Sequence, residues 1–343
     1  MTNLVKKLRP LLVFFIVPVV IPLIIFLGFK YSSSFEDPKV VISGYTMGTD
    51  YSISIYSEDK ISRKNINILK FQIDSILVDI NSSMSTYDIN SELSSLNNSI
   101  EDTILISSEL HYVISKGIEY SLLSDGLYDI TILPLVKLWG FKEAKPSKPS
   151  FESIQEIIDN VGVDKIDLSS KDKLVKKSPN VTIDLASIAK GYAVDKISSY
   201  LQELGYINHL VVIGGEVKTK GSKLGEKWNV EITDPRSGTG YKTIELTDLS
   251  IATSGTYENY RTFADSIEYS HILNPKTGYP IKHNTVSATV IAPNCIDADA
   301  LATASMSMNP LDAIKLIEDL EFEGLILVSN KNGELIEYKS EDF

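Results

Sequence analysis

Between residues 11 and 29 the chain reads LLVFFIVPVVIPLIIFLGF, without one charged side chain. At about 1.5 Å of rise per residue, such a run matches the roughly 30 Å hydrocarbon core of a bilayer, so it reads as a single membrane anchor. Pro18 and Pro22 kink a spanning helix without forbidding it. Lys6, Lys7 and Arg9 precede the run, and Lys30 alone follows it closely. The positive-inside rule then leaves the N-terminus cytoplasmic and puts everything beyond Lys30 on the extracytoplasmic, periplasmic side of the inner membrane. A cleaved signal peptide is the competing reading, but the run exceeds a usual h-region and no small-x-small site precedes Tyr31. The expected organisation is an anchor over 1–30, a polar spacer over 31–39 and a body over 40–343.

The body has to fold by packing alone. The only cysteine is Cys295, which excludes lipoprotein processing at the anchor, intrachain disulfides and thiol-based zinc sites. Of the 343 residues, 43% are hydrophobic and 23% charged, a profile that suits one or two globular domains and excludes a disordered chain. The net charge of −12, with no acidic residue before Lys30, makes the body acidic and argues against nucleic acid as a partner.

The patterning predicts a strand near Val40 and another through the alternating Tyr51-Ser-Ile-Ser-Ile-Tyr56. Helical spacing follows over 65–80, a shorter piece over 91–96, and again over 107–123, which ends at Ser124-Asp125-Gly126. Residues 142–150, KEAKPSKPS, form a surface loop and a candidate subdomain seam. Farther on, a strand is expected to end at Asp184, followed by a helix over 185–204 and a buried strand over 210–213 stopped by Gly214-Gly215. Strands near 228–232, 242–246, 250–253 and 286–292 precede a helix from Ala298 towards Met308. Several of these strands are joined by hairpin-length turns, so the fold class is α+β, with mixed or antiparallel sheets and packed helices rather than a doubly wound α/β sheet. No internal repeat is present.

Chemistry is densest from Tyr269 to Met306. His271 can exchange a proton near neutral pH. Asn274-Pro275-Lys276-Thr277-Gly278 reads as a tight turn with exposed N–H donors and a cation, suited to phosphate. Asp297, Asp299 and Thr303 offer hard oxygens, which favour magnesium or calcium over zinc; the alternative is that the two aspartates cap the following helix. Upstream, Asp184 stands at the start of a helix carrying Ser187, Lys190 and Gly191, where it can cap, bind a ligand or do both, while Lys190 reads as lying off that face in solvent. Gly214-Gly215-Glu216 and Thr253-Ser254-Gly255-Thr256-Tyr257 are either plain turns or places where backbone approaches an anion.

Taken in order, Thr46-Met-Gly-Thr, Met84-Ser-Thr-Tyr, Tyr128-Asp-Ile-Thr with Pro134 and Trp139-Gly-Phe, Asp184-Leu-Ala-Ser-Ile-Ala-Lys-Gly, Gly214-Gly-Glu, Thr253-Ser-Gly-Thr-Tyr, His271-Ile-Leu-Asn-Pro-Lys-Thr-Gly and Ala298-Asp-Ala-Leu-Ala-Thr resemble the ApbE family of FAD:protein FMN transferases. The resemblance implies an enzyme that takes FAD with Mg2+ and moves FMN through a phosphoester bond onto a threonine hydroxyl of a target protein, releasing AMP. It makes His271 the candidate base. Met47, Tyr87, Leu127, Tyr128, Asp129, Asp184, Lys190 and Leu273 match positions that contact FAD, and Ser187, Asp299, Ala302 and Thr303 match magnesium-site positions. Ala302 departs from members with a carboxylate there and could offer only a backbone oxygen; Glu216 replaces the more usual aspartate. The acceptors implied are extracytoplasmic redox subunits, such as those of sodium-pumping quinone reductases, in keeping with the expected anchor. The same motifs would also serve an FAD pyrophosphatase that yields FMN and AMP, or a non-enzymatic FAD-binding protein.

Overall fold

The computed structural model describes residues 39–140, 148–255, 260–263, 268–281 and 284–343. The expected anchor at 11–29, most of the 142–150 loop, Thr256, Tyr257 and His283 lie outside them. Among the described residues no helix is long and apolar enough to cross a membrane. Val40–Ser57 and Ile61–Phe343 make up one compact unit.

Its frame is an eight-stranded sheet of β1 (Lys39–Thr46), β2 (Thr49–Tyr56), β3 (His209–Ile213), β4 (Glu216–Lys220), β5 (Ser250–Gly255), β6 (Thr285–Ala292), β7 (Glu323–Ser329) and β8 (Leu335–Lys339). Spatial order follows chain order, and each pairing from β2 to β8 is antiparallel, with Tyr51 opposite Ile213 and Thr253 opposite Thr289. The α+β expectation holds: the sheet is a meander into which helices are inserted.

The long insertion between β2 and β3 carries α1 (Arg63–Met84), α2 (Glu92–Asn98), α3 (Ser108–Leu123), α4 (Leu133–Trp139), α5 (Phe151–Ile158) and α6 (Ala189–Glu203). Serine hydroxyls start the first three, with Ser62, Ser91 and Ser107 accepting from Asn65, Ser94 and Leu110 N–H at 3.2, 2.9 and 3.2 Å. Between β6 and β7 come α7 (Cys295–Ser307) and α8 (Pro310–Asp319). Helices pack against one face of the sheet around Ile53, Ile73, Leu110, Val194, Leu301 and Ile326. The hairpin Trp228–Thr233/Gly240–Leu246 shares a second apolar cluster with the sheet through Val217, Ile232, Leu246, Ile251, Leu325 and Leu327.

Several expectations need correction. The helix expected over 185–204 begins only at Ala189, because Asp184 turns the chain by accepting Ala186 N–H on Oδ1 at 2.9 Å. The strand expected to end at Asp184 is reduced to one bridge between Thr182 and Ile132. The helix expected from Ala298 starts at Cys295, which puts Asp297 in its first turn. Helix α8 and strands β7 and β8 were not expected at all.

His209, fully buried on β3, lies between Ser198 Oγ, 2.7 Å from Nε2, and the Tyr206 carbonyl, 2.7 Å from Nδ1. A carbonyl only accepts, so Nδ1 carries the proton and Nε2 accepts from Ser198. Burial lowers the imidazole pKa from 6.5 to about 4. The unfolded chain therefore binds the extra proton between those values. Stability from this group is fully present above pH 6.5 and is lost as pH falls towards about 4. The contribution is on the order of 3 kcal/mol. Thermal melts should show Tm falling more steeply with acidification in the wild type than in His209→Gln; equal slopes would show that this histidine does not carry the effect.

Candidate active site

Turns at one end of the sheet begin the site. Met47 and Gly48 join β1 to β2 with φ of 50° and 77°, a two-residue turn of the primed type that suits the strand twist. A non-glycine residue in that conformation is strained, and Met47 lines the cleft described below. Gly214-Gly215 joins β3 to β4 alongside, with Gly214 N–H bonded to Asp50 O at 3.0 Å and Gly214 at φ 62°. The end of β5 adds Thr253 and Ser254.

Opposite these turns stand α6 and α7. Neither helix carries a side-chain cap on its own N-cap residue. Each is capped by the other. Asp299 of α7 accepts Gly191 N–H from the first turn of α6 at 2.8 Å, and Asp195 of α6 accepts Cys295 and Ile296 N–H from the first turn of α7 at 3.0 and 2.9 Å. Gly191 permits the approach: a Cβ there would lie 2.5 Å from Cys295 O and 2.8 Å from Asp299 Cβ.

Three adjoining cavities open between turns and helices. One of about 840 Å³ is walled by Met47, Ser187, Lys190, Glu216, His271, Asp299 and Thr303, among others. A second, of about 590 Å³, runs past Tyr87 and Asp184, and a third, of about 250 Å³, past Leu127, Tyr128, Asp129 and Leu273. Ala186 lines all three, His271 and Ser187 line the first and third, and Lys190 lines the first and second, so they form one branched cleft. This is the scale of a dinucleotide site.

Of the residues that the family resemblance assigns to the site, all except Ala302 border the cleft. Ala302 is fully buried within α7 and lines none of the cavities. Asp129 borders the third cavity, yet its carboxylate is occupied by Thr131 N–H at 2.7 Å, Thr131 Oγ1 at 2.6 Å and Val163 N–H at 3.1 Å, so it shapes the loop behind Leu127 and Tyr128. Lys190 is not the solvated residue its spacing suggested, because it pairs with Glu216 inside the cleft. The Asn274–Gly278 turn is also not a phosphate cradle. Asn274 Oδ1 takes Lys276 and Thr277 N–H at 2.9 and 3.2 Å, and Lys276 Nζ pairs with Asp125 at 2.6 Å. The turn instead accepts Trp139 Nε1–H on Gly278 O at 2.8 Å. Asp297 points to a separate partner, Lys116, at 3.0 Å.

Electrostatically the centre is a row of Asp299, Lys190 and Glu216. Both carboxylates are 3% exposed. Burial raises the pKa of Asp299, with Lys190 and Gly191 N–H opposing. Burial and then Asp299 push Glu216 up to about 7 against the pull of Lys190. For Lys190, burial acts downwards, but the two carboxylates outweigh it and raise its pKa. Around the row, Ser187 Oγ donates to Tyr128 Oη at 3.0 Å, and Thr303 Oγ1 lies 3.1 Å from Ser254 Oγ.

These donors fit a hard divalent cation. Among the described residues no three His, Cys, Asp or Glu side chains cluster as a metal site. Magnesium, however, commonly uses one or two carboxylates together with hydroxyls, waters and substrate phosphates. Glu216 Oε2, buried and without a hydrogen-bond partner among the described residues, belongs to a side chain that lines this cleft and calls for such a partner. Glu216, Ser254 and the neighbouring turns are what motif reading underrated; their signal was hairpin glycines and hydroxyls at strand ends.

The architecture is an α+β one shared with solved flavin transferases. The flavin transferase ApbE from Vibrio cholerae superposes with a TM-score of 0.80 at 35% identity, covering 89% of this chain and 98% of that one. The apo flavinyl transferase ApbE of Pseudomonas stutzeri gives 0.81 at 31% identity, covering 90% and 96%. The FAD:protein FMN transferase of Haemophilus influenzae is 35% identical over 311 residues, 87% of this chain and 89% of its own. The ApbE family model matches residues 47–326, and the chain belongs to that family.

Gly191→Ala should destabilise the fold by about 1–3 kcal/mol, since the new methyl meets backbone rather than a yielding side chain. Calorimetry would read this as a lower Tm; an unchanged Tm would show that the two helices are free to separate.

Proposed function

We propose that this chain is an FAD:protein FMN transferase that moves the FMN half of FAD onto a threonine hydroxyl of a target protein. The observation that carries this reading is that His271 shares the largest part of the cleft with the Asp299–Lys190–Glu216 row. A proton acceptor thus stands in the same cavity as the groups suited to a pyrophosphate. The turn of Ala186 and Ser187 leads into α6, whose first turn carries Lys190; all three residues line the cleft, and a helix start there favours anionic phosphates through its N–H groups and dipole. Tyr87, 71% exposed at the wall of the second cavity, offers an aromatic face to a flat ring.

In the proposed reaction His271 removes the proton of the threonine hydroxyl, whose oxygen forms a new bond to the FMN phosphorus. The bond from that phosphorus to the bridging oxygen breaks, and AMP leaves with that oxygen. Asp299, Ser187 and Thr303 are the residues that would hold Mg2+. When bound, the ion would neutralise the pyrophosphate and the charge developing on the leaving group. Lys190, held by Glu216, keeps a cation beside the phosphates. The same reading places the body outside the cytoplasmic membrane, tethered by residues 11–29 and acting on flavin-carrying redox subunits. Its support is the uncharged run and the basic residues before it.

Full-length protein in detergent, incubated with FAD, Mg2+ and a threonine-containing acceptor, should add the mass of FMN to the acceptor and release AMP. Intact acceptor alongside free FMN would point to a pyrophosphatase, and unchanged FAD would remove the enzymatic reading. His271→Ala should retain FAD binding while transfer drops by at least about 100-fold; transfer at the wild-type rate would exclude His271 from the mechanism.

A further inference from the structure

We infer that Glu216 supplies a second carboxylate to a divalent-cation site whose first is Asp299, its Oε2 turned to the cation while its Oε1 holds Lys190. The inference rests on the cation-assisted reading above and assigns a residue which that reading leaves out.

Three observations converge on Glu216. Its Oε1 is engaged by Lys190 Nζ, but Oε2 is buried with no hydrogen-bond partner among the described residues, although the side chain is only 3% exposed. A carboxylate oxygen is rarely left in that state without an ion or water to meet it. The second observation is place. Glu216 lines the same cavity as Asp299, Ser187 and Thr303, and a Cβ built on Gly214, also in that wall, would lie 3.4 Å from Oε2. The orphaned oxygen therefore lies against the β3–β4 turn that helps to wall the cavity. The third is charge. Two buried carboxylates share one ammonium, and Lys190 cannot neutralise both. A divalent cation facing Oε2 and Asp299 satisfies the orphan and the excess charge together, using the hard oxygen donors such an ion prefers.

Glu216→Gln tests this, since the amide keeps the size of the side chain and an oxygen for Lys190 but replaces a negative ligand with a neutral group. Mn2+ binding to the full-length protein in detergent, without FAD, can be followed by the electron paramagnetic resonance of the free ion. The wild type should bind Mn2+, and Glu216→Gln should bind it at least about tenfold more weakly with an unchanged Tm. Glu216→Asp keeps the charge but withdraws the oxygen by one methylene, and it should also weaken binding should the glutamine variant fail to fold. Wild-type affinity in a folded variant overturns the role of Glu216 and leaves the cation reading standing. A wild type that takes up no Mn2+ overturns both.

Discussion

The site depends on a reciprocal exchange of caps between two helices. Asp195 of α6 closes the first turn of α7, and Asp299 of α7 closes the first turn of α6. An uncapped helix start leaves N–H groups without partners, and burying them in a core is costly. Each helix therefore needs the other to be in register, with Gly191 at the closest point. Functional consequences follow from geometry alone. Asp299 and Thr303 are four residues apart on α7 and so share a helix face, which the exchange turns towards Ser187 and Lys190. Lys218 supports the arrangement from the sheet, bonding Asp195 at 2.6 Å and the Pro293 carbonyl at 3.2 Å.

The sheet provides the other half of the cleft by a different route. In an antiparallel meander, alternate turns fall at the same end, so the β1–β2 turn, the β3–β4 turn and the end of β5 are neighbours although they are far apart in sequence. Short turns at that end keep backbone close to a ligand, and the left-handed Met47 is the strained residue among them. The chemistry is thus distributed over turns and helix starts held by two rigid layers. Asn274–Gly278 belongs to the support of this frame, docking on Trp139, whose ring also meets Phe263 and Tyr279 edge to face at 5.8 and 6.1 Å.

Strong local periodicity made much of the fold legible. The alternation at Tyr51–Tyr56, the apolar stripe of α1 and the serine caps before α2 and α3 are determined within a few residues, and the structure follows them. The start of α7 was misplaced because its cap comes from a residue a hundred positions away, which no local rule can see, whereas α6 starts late because Asp184 closes a turn of its own ahead of it. Lys190 was misjudged because helical spacing describes one helix and not the strand turn carrying Glu216 that faces it. At Asn274–Gly278 the residue types suggested free donors, but an asparagine side chain that bonds the following N–H groups closes a turn as readily as it opens one.

The charge row also bears on how the cleft can receive a phosphate. The start of α6 and Lys190 are its positive features, but Asp299 already takes one helix N–H and Glu216 already holds the ammonium. With both acids ionised, the row carries one more negative than positive charge, in a setting too buried for water to screen it well. An anion arriving alone meets that excess. On the proposed reading, a pyrophosphate is therefore accommodated only as the acids are neutralised, and the hydroxyls of Ser187 and Thr303 stand where a cation would serve acids and phosphate at once. A cation taken up before the substrate would then prepare the row for the anion, because the buried orphan oxygen of Glu216 already lacks a positive partner.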